Sequence, residues 1–166
     1  MTYSQWSRRP KEQARLLNPA FIAALIWASA RGYRQVCSQG LPYSLVFIAI
    51  PVLLHKATRE ELPKTISASL ATWMSEHPMV KVRFVERATA MVPLIKESIL
   101  FGVHGQLIEM SSMQINAARR PRAMAGFLRE ASEEVRECMS KSELVGRWFA
   151  SHGDENTIMA LWGVAP

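Results

Sequence analysis

The chain of 166 residues lacks most of what a self-sufficient enzyme is built from. It holds one aspartate, Asp154, four scattered histidines, and no GxSxG, HExxH or glycine-rich phosphate loop. Catalysis requires acid, base or nucleophilic groups that converge, so no catalytic residue is assigned. The only two cysteines, Cys37 and Cys138, lie about a hundred residues apart. A structural zinc site takes four clustered ligands, so no metal is expected, and no cofactor either. With so few cysteines and no leader of secretory type at the start, the expectation is a cytoplasmic protein with reduced thiols. No apolar run is long enough for a membrane span: Leu41–Leu54, polar only at Ser44, has 14 residues, against roughly 18 or more for a spanning helix. No membrane role is expected.

What is present is apolar substance and unevenly placed charge. Hydrophobic residues make up 49% and charged ones 20%, which excludes a disordered chain and suits one compact domain. The net charge of +6 is concentrated at the amino-terminal end, where Met1–Arg59 carries eight Lys or Arg against the single Glu12. A basic half of this kind lies against phosphate or against an acidic protein, and charge alone does not separate the two.

Residues 1–17 carry Arg8, Arg9, Lys11 and Arg15 without periodicity and read as a basic flexible arm. Asn18 as N-cap and Pro19 in the first helical position start a helix that runs to about Val36. The apolar stretch that follows reads as a buried helix kinked by Pro51 near Ile50. Thr58 and Glu61 have the spacing of a capping box that opens a short turn ended by Pro63. Ile66, Leu70, Trp73 and Met74 then mark an amphipathic helix that stops before Pro78. Phe84 to Ile99 keeps a helical period, closed by Gly102 and Gly105 and bent at Pro93. Leu107–Met110 and Met113–Ile115, on either side of Ser111 and Ser112, read as a hairpin. After it come a helix marked by Met124, Leu128, Ala131, Val135 and Cys138, a second capping box at Ser140 and Glu143 opening another, and a short last helix capped by Asp154 and ended by Gly163. The fold expected is mainly α: a single helical domain over 18–166, with a winged-helix-like core at 18–117, a small β-hairpin as wing, and three C-terminal helices at 118–166.

Three blocks carry a resemblance: NPAFIAALIWASARGY (Asn18–Tyr33), GLPYSLVFIAIPVLLHKATREELPKT (Gly40–Thr65) and FVERATAMVPLIKESILFG (Phe84–Gly102), with the ending GRWFASHGDENTIMALWGVAP (Gly146–Pro166). In order and spacing they resemble the middle-component proteins of three-component ABC ATPase systems. The resemblance implies a small subunit beside an SMC-like ABC ATPase and an effector, often a nuclease, in bacterial defence systems such as the Lamassu type. It implies a role rather than a chemistry, namely a non-catalytic adaptor in contact with double-stranded DNA through its complex.

The candidate contact residues follow from both readings. His55, beside Lys56, Arg59 and Glu60, either closes the apolar helix by donating to a carbonyl or serves a site. Arg59, in the HKATREELP turn, and Arg87, in the FVERA block, either brace a carboxylate inside the fold or reach a partner's acidic surface; solvent access to the guanidinium separates the two. Arg119, Arg120 and Arg122, next to the wing, either grip phosphates or form a solvated linker. Trp6 sits on the arm outside any periodic core face and is the candidate partner anchor. Two other readings stay open: a stand-alone winged-helix DNA-binding regulator, and an antitoxin-like inhibitor of an effector. The first is disfavoured because the Ile66 to His77 segment offers almost no side chain that reads base edges.

Overall fold

The computed structural model describes residues 18–119 and 122–164. The basic arm at 1–17 therefore lies outside the described residues. The described chain is mainly α, with eight α-helices and one small antiparallel sheet.

Helix α1, Pro19–Val36, starts as the sequence demands, with Asn18 Oδ1 accepting from the Ala20 N–H at 2.9 Å and Pro19 in the first turn. Every residue from Phe21 to Ala30 is buried, so α1 has no wet face over that length; a helix apolar all round belongs at the centre of a fold. Strand β1, Leu41–Pro42, leads directly into α2, Tyr43–Leu54, which contains Pro51 in its last turn. Helix α3, Lys56–Glu61, follows after His55 alone, and α4 is Leu70–Glu76. A 3-10 turn at Pro78–Lys81 precedes the longest helix, α5, Phe84–His104, which includes both Pro93 and Gly102 and ends at Gly105.

The expected hairpin is present as β2, Ile108–Ser111, and β3, Gln114–Ala117. Ser112 and Met113 both have positive φ, as a two-residue hairpin turn of the primed type requires. The hairpin does not stand free. Strand β3 is central, paired with β2 on one side and β1 on the other, and the Met113 carbonyl accepts from the Tyr43 N–H at 2.9 Å. β1 was not expected, because a two-residue pairing next to Pro42 has no periodicity to read.

Three C-terminal helices follow: α6, Arg122–Glu130, α7, Glu133–Ser151, and α8, Glu155–Leu161. Their division differs from the one expected. The chain breaks at Ala131–Ser132, and Ser132 caps α7 by accepting from the Val135 N–H. Ser140 and Glu143 lie mid-helix and cap nothing. The buried positions Cys138, Met139, Ser142, Val145 and Phe149 keep their spacing straight through them, and a continuous apolar face outweighs a local capping signal. Asp154 caps α8 as expected, and Gly163 adopts φ 71° behind it.

The core gathers α1, α2, α5 and α7 around one apolar cluster. Four of the five tryptophans, Trp27, Trp73, Trp148 and Trp162, belong to it. Trp73 meets Trp148 edge-on at 5.1 Å, and Phe84 tilts against Trp162 at 4.4 Å. α1 and α7 cross at glycines: a Cβ on Gly32 would fall 2.1 Å from the Glu143 carbonyl oxygen, and one on Gly146 would fall 2.0 Å from that of Ser29. Beside the crossing, Ser142 Oγ donates to the Leu25 carbonyl at 2.6 Å and lies 2.8 Å from Ser29 Oγ.

Candidate functional site

The junction of α2 with α3 is built on His55. Its N–H reaches the Pro51 carbonyl and so closes α2. Its Nδ1 accepts from the Thr58 N–H at 3.3 Å, with Thr58 Oγ1 2.8 Å from the same nitrogen, and so opens α3. This corrects two expectations. The imidazole accepts as an N-cap instead of donating to a carbonyl, and Thr58, which is buried, is not the first member of a capping box. Burial, and secondarily the Arg87 guanidinium, pushes the His55 pKa down and favours the neutral ring that this cap needs.

One turn later Arg59 faces inward. Its side chain is 4% exposed; Nη1 donates to the Leu53 carbonyl at 2.9 Å, and Nη2 lies 3.4 Å from Glu134 on α7. Glu137 stands 4.0 Å from Nε. The guanidinium thus ties the end of α2 to the outer face of α7, and its head has no solvent access with which to meet a partner.

Arg87 is placed differently. Nη1 donates to the Val82 carbonyl at 2.8 Å, while Nε and Nη2, both screened from water, have no acceptor among the described residues. Burial and the neighbouring Arg83 guanidinium lower its pKa, which is the sign of positive charge without full compensation. With His55, Arg83, Glu86 and Ala90 it lines an open cleft of about 560 Å³. Arg83, Glu86, Arg87 and Ala90 follow at intervals of three, one and three, which places them on one side of α5. Arg83 Nε holds Glu86 at 2.8 Å. His55 also lines a second hollow, of about 320 Å³, with Thr58, Glu61, Glu76, His77 and Met79 among its walls. There His77 stacks on Trp73 at 5.0 Å and faces Glu61 at 3.3 Å. Apolar side chains lie open around this region: Met79 is 75% exposed, and Val82 and Val85 about half.

Of the sequence candidates, His55 and Arg87 come together at one cleft, and Arg59 lies behind them in the core. Arg83, Glu86 and Ala90 were missed, although their spacing with Arg87 was there to be read. Arg119 is exposed just after β3, where the Ala118 carbonyl is held by Trp27 Nε1 at 3.0 Å. Arg120 lies outside the described residues, as does the Arg122 side chain at the start of α6, and Trp6 lies outside them as well. No group of side chains with metal-ligand clustering occurs among the described residues. No helix among them is long and apolar enough to cross a membrane.

The family model for the ABC-three component (ABC-3C) system Middle Component 3 matches residues 6–166. The chain belongs to that family. No curated protein and no solved structure matches it. The resemblance carried by the helical blocks holds at the level of the middle-component family. A Middle Component 3 protein is one of three components, so membership implies partner components. The cleft at His55 and Arg87 is thus a feature of a chain whose family works in company.

Proposed function

We propose that this Middle Component 3 chain is a non-catalytic adaptor that bridges an SMC-like ABC ATPase and an effector, a nuclease in the simplest case. The complex would be a cytoplasmic bacterial defence assembly of Lamassu type, acting against phage or plasmid DNA. The observation that carries this reading is the family match over residues 6–166, nearly the whole chain. The cationic cleft on α5 and the exposed Met79, Val82 and Val85 around it support the reading, because a subunit that joins others needs surface left to bury. ATP hydrolysis elsewhere would supply the energy, and this chain would pass a change of state from ATPase to effector through buried apolar contacts. In this reading Trp6 anchors the arm in a pocket of one partner. Arg119, Arg120 and Arg122 hold phosphates of duplex DNA that the complex engages, without reading sequence.

Co-expression of all three components tests the adaptor role. The chain is expected to purify with the ATPase and with the effector, each also in pairwise form. Purification with the effector alone would make it an inhibitor, and failure of the ATPase to co-purify overturns the reading. A mobility shift on plain duplex at two salt concentrations tests the arginine contacts. Three phosphate contacts would give a log–log salt slope of about −2.7.

A further inference from the structure

The geometry points to the cleft beneath His55 and Arg87 as a receptor for one carboxylate side chain of a partner protein, gripped by the unpaired edge of the Arg87 guanidinium. This deepens the adaptor reading and rests on it. Arginine offers its side-on fork through Nε and Nη2, the two N–H groups that point the same way and match the oxygens of a carboxylate. Those are the two nitrogens of Arg87 that lack an acceptor among the described residues, while Nη1 donates to the Val82 carbonyl at 2.8 Å. The nearest acid of the same face, Glu86, is engaged by Arg83 Nε at 2.8 Å. The cleft therefore holds two guanidiniums against one carboxylate. Arg87 as a residue is only partly buried and lines the cleft, so the proposed contact needs its side chain to swing: Nη1 releases the Val82 carbonyl and the unpaired edge turns to the arriving carboxylate, which trades water for a poorly hydrated partner.

The surroundings select protein over nucleic acid. Beyond His55 the walls carry Glu61 and Glu76, which repel a string of phosphates but leave room for a single acid. The open Met79, Val82 and Val85 supply apolar area that a sugar–phosphate backbone does not use and a protein surface does. The occupant is thus an acidic residue flanked by apolar ones on another component of the system.

The test uses the full chain and the separately purified ATPase and effector subunits, with affinity for each measured by calorimetry. Two variants are compared with the parent. Arg87→Gln removes the fork, and Ala90→Glu, at an exposed position one turn further along α5, offers Arg87 an internal carboxylate and blocks the cleft. Both are expected to bind one subunit about 30-fold more weakly or worse, the loss typical of truncating one partner of a desolvated charge pair. Their thermal unfolding is recorded alongside, and Ala90→Glu is expected to keep the parent's midpoint. If Ala90→Glu folds normally and binds both subunits as the parent does, the inference is overturned while the adaptor reading stands. Loss of duplex DNA affinity in place of subunit affinity overturns it in favour of phosphate. If the parent chain binds neither subunit, the adaptor reading itself has failed.

Discussion

Replacing Gly146 by alanine adds one methyl group to a helix and should nevertheless count among the most damaging changes in this protein. In an exposed helix interior the exchange stabilises by up to about 1 kcal/mol. Here the new Cβ would lie 2.0 Å from the Ser29 carbonyl oxygen and 2.9 Å from the Tyr33 nitrogen. Both are backbone atoms of α1, so no rotamer change relieves the overlap and the helices must separate by roughly 1 Å, which forfeits a quarter to a half of each dispersion contact along the crossing. The same separation stretches the bonds of Ser142 to the Leu25 carbonyl and to Ser29, leaving buried polar atoms short of partners at about 1–3 kcal/mol. Adding an overpacking strain of about 1–3 kcal/mol and subtracting the helix gain of about 1 kcal/mol leaves a net loss of about 1–5 kcal/mol. Urea unfolding followed by circular dichroism measures it. Gly126→Ala is the internal control, because nothing lies within 4 Å of a Cβ at that position in α6; it should stabilise by up to about 1 kcal/mol. If the two substitutions shift the midpoint in the same direction, the close-crossing argument is refuted.

Arg59→Met, which keeps much of the volume but no charge, should cost about 1–3 kcal/mol by leaving the Leu53 carbonyl without its donor, and Arg59→Ala more, measured as the shift in urea midpoint. Because the folded state holds the His55 pKa below 6.5, the unfolded chain binds the extra proton first; stability should be full above about pH 6.5 and fall as the pH drops below it. His55→Asn keeps an N-capping acceptor without a titrating ring and should flatten the fall, seen in unfolding midpoints taken from pH 7.5 to 5. Cys37 is partly exposed, whereas Cys138 is buried and its thiol pKa pushed up by that burial. Mass spectrometry after iodoacetamide treatment should therefore find the native protein alkylated at Cys37, with Cys138 modified only in denaturant.

What could be read from the sequence was what is carried by near neighbours. Asn18–Pro19 and Asp154 announce helix starts because a cap needs only residues two or three positions away, and the Ser-rich gap between Leu107 and Ile115 announces a hairpin for the same reason. Local signals misled where a longer-range term overrode them. Ser140 and Glu143 have the spacing of a box, but the buried face that continues through Ser142 and Val145 keeps α7 unbroken. Thr58 and Glu61 form a box on paper, yet His55 takes the cap and Thr58 turns into the core. The glycine crossing was invisible, because Gly32 and Gly146 gain their meaning only from each other's helix, more than a hundred residues away in the chain. At the site, Arg59 and Arg87 look alike as sequence, each a cation in a helical turn. Opposing carboxylates on α7 separate them, since Arg59 has Glu134 and Glu137 and Arg87 has none among the described residues.

The contrast between those two arginines bears on how a bridging subunit can be both firm and receptive. A buried cation that is broken costs several kcal/mol, so Arg59, bound to α2 and α7, makes the end of the apolar helix a fixed point. His55 follows directly on that helix and caps the next, and therefore inherits the same rigidity while lining both hollows. Arg87 looks onto the same place from α5, a separate helix whose N-cap residue, Arg83, lies in the left-handed region, φ 55°, and gives no side-chain cap. A left-handed arginine and an uncapped first turn are each local costs, of the kind that persists where the surroundings over-determine the geometry. One wall of the cleft is thus anchored and the other begins in strained backbone.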